Sequence, residues 1–312
     1  MEINSVLTAF ASRLRRLTRV ASPMLVGVLM LCCAVSSVYA LVGNGFTVFS
    51  WGTTTDETGI DIGSASDRTC FLSGVAGNLN MGAEPGFGCG PKGEESLARV
   101  ADKFPVTGHY WLVAHGSACE NNQNQQVWDN NPVNAQATCF WTTAGATSGE
   151  WKPGNNNLPV KIAGLGTGNI SARQCFLSGL WGVGGSWNSS SNFARVVKRT
   201  LPDLTHPTTG WYIEANLPSP ADGSHPRVEA RCVDFPGNTI FSSGTVTASQ
   251  VTKTSAITSG AGVKACALTE ITGAFNVNAW NDGVLMSFPA KIDGNWSLTV
   301  TSGKSAKFAC AR

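Results

Sequence analysis

Apolar and polar positions along this chain follow two regimes. From Met24 to Val35 apolar residues run almost unbroken, behind Arg13, Arg15, Arg16 and Arg19 and ahead of the small-residue step Val38-Tyr39-Ala40. A basic flank, an apolar run and a small-x-small end form the order of a secretory signal. Residues 1–40 therefore read as a signal peptide, with the mature chain beginning near Leu41. An uncleaved anchor, a twin-Arg signal at Arg15-Arg16 and a lipoprotein cysteine at Cys32 or Cys33 are the competing readings. Beyond residue 41 amphipathic helical runs are nearly absent and short alternating runs take over. In Val133-Asn134-Ala135-Gln136-Ala137-Thr138-Cys139 the apolar residues point one way and the polar ones the other, the period of a half-buried strand.

These strand patterns repeat. Cys70-Phe71-Leu72-Ser73-Gly74 recurs as Cys175-Phe176-Leu177-Ser178-Gly179 and, more weakly, as Cys266-Ala267-Leu268-Thr269-Glu270. Each copy is followed by a short run (Leu97-Ala98-Arg99, Phe193-Ala194-Arg195, Val284-Leu285-Met286), then by a tryptophan strand at Trp111, Trp211 or Trp296. Each then closes on a strand into Cys139, Cys232 or Cys310. Ordered landmarks repeated three times define internal repeats. The units run 41–140, 141–233 and 234–312, and Val-x-Ile and Thr-x-Thr patches ahead of each opener read as further strands. The expected fold is all-β, with three related antiparallel β units. Either three small sandwiches stand in tandem, or one pseudo-threefold, prism-like assembly forms in which each unit supplies a sheet.

Composition adds the compartment. Ten cysteines occur, and eight lie outside residues 1–40, an even number that suits disulfides in an exported chain. Their repeated positions give the pairs Cys70–Cys139, Cys175–Cys232 and Cys266–Cys310, and leave Cys89 to pair with Cys119. No Cys-x-x-Cys or Cys/His cluster points to zinc, and no motif calls for a cofactor. The formal charge is +2, but residues 1–40 hold four arginines against Glu2, so the remainder carries −1. A nearly neutral chain offers no field for nucleic acid. The expected location is secreted or periplasmic.

Function is the weakest part of the sequence. The three strand tryptophans read as core. Three others stand beside amides in turn-like sequence: Trp128 with Asn130, Trp187 with Asn188, and Trp280 with Asn281. A flat ring next to amide groups suits a sugar, whose C–H face stacks on the ring while its hydroxyls bond the amides. These six residues are the candidate ligand contacts. The four histidines are scattered, and no nucleophile–base arrangement is evident. The expected function is an exported, non-catalytic binding or surface-structural protein that contacts glycans or the cell envelope through turn aromatics. The alternatives are an extracellular hydrolase, its carboxylates drawn from Asp129, Glu150, Glu214 and Asp282, or a structural spacer.

Overall fold

Each landmark of the repeat becomes a strand. The computed structural model describes residues 41–43, 46–52, 59–80, 96–102, 107–116, 118–120, 126–128, 133–153, 158–165, 171–201, 208–218, 226–236, 239, 241–257, 265–279, 281–287 and 296–311, in the backbone alone for 41–43, 46–52, 115, 118–120, 126–128 and 171–172. Unit 1 holds β1 (Leu41–Gly43), β2 (Phe46–Gly52), β3 (Ile60–Ser64), β4 (Thr69–Gly77), β5 (Ser96–Ala101), β6 (His109–His115), β7 (Ala118–Glu120), β8 (Gln126–Trp128) and β9 (Val133–Phe140). Unit 2 holds β10 (Thr147–Trp151), β11 (Val160–Ala163), β12 (Ser171–Gly182), β13 (Phe193–Leu201), β14 (Thr208–Asn216) and β15 (Arg227–Pro236). Unit 3 holds β16 (Phe241–Ala248), β17 (Lys253–Ile257), β18 (Ala265–Thr272), β19 (Gly283–Ser287), β20 (Trp296–Val300) and β21 (Lys304–Ala311). The patches ahead of the openers are strands, as their β-branched residues suggest.

The two architectures expected from the sequence turn out to be combined. Within a unit, three strands of one sheet pack across three of another: β2-β9-β4 lie across β3-β6-β5 in unit 1, chiefly through β5 and β6, and the same relation holds in units 2 and 3. Each unit is thus a small sandwich. The sheets, however, continue across unit boundaries. Their orders are β1-β2-β9-β4-β19-β20-β17, β10-β15-β12-β5-β6-β3 and β11-β14-β13-β18-β21-β16, with β7-β8 a separate ribbon. Every opener (β4, β12, β18) pairs on one side with its own closing strand and on the other with a strand of the neighbouring unit. No unit supplies the whole of one of the three large sheets. Three sandwiches are fused edge to edge in a cycle.

This position explains why the openers lack alternation. β4 is buried at every residue, because one face looks into its own sandwich and the other toward the pseudo-threefold centre, where the three openers meet. Cys70, Leu72 and Val75 share a face with Ala135, Ala137 and Cys139. On the opposite face Phe71 and Phe176 approach with ring centroids 4.8 Å apart, and Phe140 stacks on Phe176 at 5.6 Å. Each opener carries the same bulge against its closing strand, at Ser73, Ser178 and Thr269. A bulge inserts one unpaired residue and bends the strand, here at each crossing from one unit to the next.

The disulfides Cys70–Cys139, Cys175–Cys232 and Cys266–Cys310 join directly opposed residues in fully buried positions. In the chain-entropy model, loops of this length contribute about 4 kcal/mol each. The pairing of Cys89 with Cys119 lies outside the described residues.

The strand tryptophans need one correction. Trp211 and Trp296 are core, at 8% and 1% exposure. Their counterpart in unit 1 is Tyr110. It stands opposite Gly63 as Trp211 stands opposite Ala163, in both cases beside a bulge that buries an isoleucine, Ile62 or Ile162. Trp111, one residue on, takes the other face and is half-buried. A slip of one residue reverses the side of a strand.

Candidate functional site

The six residues read as ligand contacts fare differently. Trp187 is fully buried, so it offers no face to a sugar. Its backbone N–H donates to Asn80 Oδ1 (3.0 Å), its carbonyl accepts from Phe275 N (2.8 Å), and Leu79 N donates to Phe275 O (2.8 Å). Leu79, Trp187 and Phe275 are the equivalent residues after the three openers and together plug one end of the molecule's centre. The Trp187 ring meets Phe275 edge-on at 5.4 Å, and its Nε1 donates to Trp181 O. Gly182 lies beneath, where an added Cβ would run into the Leu79 carbonyl. A large ring in Gly/Ser-rich sequence looked like a surface feature. It is a plug because the neighbouring turns close over it. Asn188 and Asn281 are exposed. Trp280, Asn130 and the ring of Trp128 lie outside the described residues and side chains.

The exposed ring that sequence reasoning passed over is Trp141, at 54%. It directly follows the closing strand of unit 1, a position with no repeat signature. The Arg68 guanidinium stands over it, 5.9 Å from the ring centroid. Arg68 is held by two bonds to Asp67, Nε–Oδ1 at 2.7 Å and Nη2–Oδ2 at 3.0 Å, and by its Nη1 donating to Ile62 O. That pair keeps the Asp67 carboxyl below its usual range and the Arg68 guanidinium above its own. Ser64 and Ser66 bond through their hydroxyls at 2.8 Å on the same turn. The result is a fixed cation, carboxylate and hydroxyl pair grouped on the turn that reaches an exposed indole.

The second polar cluster lies on the outer face of the sheet shared by units 1 and 2. Glu150 stands directly opposite Glu229. Arg99 donates to both Glu229 oxygens, at 3.3 and 3.2 Å, and sits 5.0 Å from the Trp181 ring centroid. Lys152 and Arg227 pair with Glu150. Burial pushes the Glu229 carboxyl up, against the opposing pull of Arg99 and Arg231.

The same positions recur elsewhere with other chemistry. In the sheet shared by units 2 and 3, Lys307, Glu270, Arg195 and Glu214 stand in one row. Lys307 bonds Glu270 at 2.7 Å, and Glu214 receives both Arg195 and Arg199. In the third sheet Gln136 reaches across Gly74 to accept from Met286 N at 2.9 Å. All three closing strands thus send a long polar side chain over the opener's bulge. This row reads as fastening for the joints between units. Asp282, another candidate acid, is bonded by Lys304 Nζ at 2.8 Å, while Asp129 lies outside the described residues. Among the described residues, no group of three His, Cys, Asp or Glu side chains is placed to hold a metal.

The third feature is a groove of about 240 Å³ on the open side of sandwich 3, between β16 and β17. Val246, Ile257 and Phe308 form its apolar lining, with Ser242 and Ser255 beside them. The Ser242 Oγ is buried there without a hydrogen bond.

No protein-family model matches this sequence, and no curated protein matches it significantly.

Proposed function

We propose that this is an exported, non-catalytic binding or surface-structural protein that contacts a glycan or cell-envelope polymer through exposed aromatic rings. Three buried disulfides suggest an oxidising environment. No helix among the described residues is long and apolar enough to cross a membrane. The observation that carries the binding part is Trp141. More than half of the Trp141 surface is open to solvent, beside a fixed guanidinium, a carboxylate and hydroxyls. A sugar ring can stack its C–H face on the indole while its hydroxyls take the polar neighbours. Trp280 with Asn281, and Trp128 with Asn130, have the residue types for the same contact.

A glycan array followed by titration tests this reading. Trp141→Ala is expected to weaken binding by about 1–3 kcal/mol, as for other aromatic hot spots, with an unchanged melting temperature. Equal affinity of wild type and variant would remove Trp141 from the site. Absence of any glycan binding would leave the structural-spacer reading. The opposed carboxylates Glu150 and Glu229 are the specific observation favouring a hydrolase. Hydrolysis of an array glycan that is lost in Glu229→Gln would establish that alternative.

A further inference from the structure

Open sheets have ends, and an unpaired strand at an end is a template for another strand unless something blocks it. The three large sheets end in β1, β17, β10, β3, β11 and β16. Five of these are blunted. β1 has three residues. β17 and β10 have five each, with Lys253 on the first and Glu150 on the second. β3 carries Asp61 and a bulge, and β11 carries Lys161 and a bulge. β16 differs from all of them. It pairs with β21 in unbroken register over eight residues, from Phe241 to Ala248, with no charge, proline or bulge. Ser243, Thr245 and Thr247 are exposed along it, and among the described residues nothing pairs with its outer side. Its counterpart in unit 1, β2, is also uncharged, and there β1 supplies the missing neighbour.

We infer that β16 is a dimerisation edge, pairing antiparallel with β16 of a second copy of this chain about a two-fold axis at Thr245. The strand's own pattern argues for a copy of itself. On a self-pairing strand any charge near the axis meets its own duplicate, and β16 has none. The inward row is Ser242, Gly244, Val246 and Ala248. With the axis at Thr245, Val246 of each copy falls opposite Gly244 of the other, whose inner side is covered by the Phe308 ring, so an apolar row of Val246 and Phe308 continues across the axis beside the groove. Moving the axis by half a residue would oppose inward with outward residues, which the pleat forbids. Cross-strand threonine pairs of the kind formed at the axis already occur here, at Thr200–Thr209 (2.7 Å) and Thr254–Thr299 (2.9 Å). A two-fold interface of like patches is the commonest form of homo-oligomer.

Sedimentation and disulfide trapping test this on the intact exported chain. Wild type is expected to be a dimer at micromolar concentration. Thr245→Lys places two ammonium groups across the axis and should weaken the dimer at least about tenfold, or about 1.4 kcal/mol, without changing the melting temperature. Thr245→Cys should cross-link to a covalent dimer under mild oxidation, because opposed residues in such a pair lie within a disulfide's reach. Ser148→Cys, exposed on the charged edge β10, should not. A monomeric wild type would overturn the proposal, even if β16 then bound a foreign strand. So would a Thr245→Lys dimer as tight as wild type, or equal cross-linking at positions 245 and 148.

Discussion

β10 and β16 take the same place in their units, at the outer edge of the layer that holds the disulfide, yet they finish that edge in different ways. Register makes them comparable. Thr147 stands opposite Cys232 and Ser242 opposite Cys310, so Gly149 matches Gly244 and Trp151 matches Val246. In unit 2 the edge strand itself fills the sandwich, for Trp151 is fully buried and faces a closing strand with the small residue Ala230. In unit 3 the closing strand supplies the ring instead, as Phe308, and the edge offers only Val246. Unit 1 follows unit 2 by residue type, with Trp51 opposite Ala135 and Phe49 opposite Ala137. Sandwiches 2 and 3 are both filled, but in unit 3 a ring arriving from the closing strand leaves the groove beside β16. The scaffold fixes how much volume is filled and leaves open which strand fills it, so surface features can change while the core is kept.

The largest expected effect comes from removing the ring in the filled unit. Trp151→Ala should destabilise the protein by about 3–5 kcal/mol, the usual cost of deleting a buried large aromatic. It should also open a groove between β10 and β11 like the one in unit 3. Denaturant titration measures the first and xenon or small-aromatic uptake the second. A loss below about 1 kcal/mol would mean that the ring is not structural and would dissolve the comparison. A smaller effect sharpens it. Phe308→Ala and Val246→Trp should each destabilise unit 3, one by a cavity and the other by overpacking. Together they reproduce the unit 2 arrangement. The double variant should recover roughly 1–3 kcal/mol relative to the sum of the single changes, a coupling expected of residues sharing one cavity. Additive losses would show that the two rings do not compete for the same space.

The same logic explains what was legible in the sequence. Cysteine positions, closing strands and the presence of leading strands could be read because packing repeats them in every unit. Val133, Ala135 and Ala137 alternate with the half-buried Asn134 and Gln136 as their period implies, whereas Thr138, read as facing water, is buried opposite Phe71 of the opener. The exchange of sheets between units left no such mark. An opener buried on both faces, like β4, shows an uninterrupted apolar run whether its second face meets a helix, a sheet or a central axis. Trp111 misled because a tryptophan one residue from the matching tyrosine is an attractive alignment, and only the pairing of Tyr110 with Gly63 settles the register. Trp187 misled through its Gly/Ser-rich setting, since the residues that bury it, Leu79 and Phe275, come from other units. Trp141 was overlooked because nothing in the repeat marks it. Features fixed by neighbours distant in sequence were the ones that local pattern could not carry.

The smallest effect concerns the charges that guard β10 and are missing from β16. Like charges directly opposite each other on neighbouring strands repel, and Glu150 faces Glu229. Burial is the main influence on Glu229 and raises its pKa above the ordinary 4.5. Glu150 raises it further, while Arg99 and Arg231 pull it down. Between its unfolded and folded values the native state therefore binds more protons than the unfolded one, so stability falls as pH increases. Stability contributed by Glu229 is fully present below about 4.5 and is lost as pH rises through the raised folded value. Glu229→Gln removes the titration. Wild type should lose ground to this variant as pH rises across that window, and the difference should level off above it. Glu150→Gln removes the like charge, so it should move the window down and flatten the fall. Urea denaturation of the three proteins from acid to neutral pH measures this directly. A wild type that gains on Glu229→Gln as pH rises would mean that Arg99 outweighs burial, and that the pair is a net attraction across the joint between units 1 and 2 instead of a guard kept at a cost.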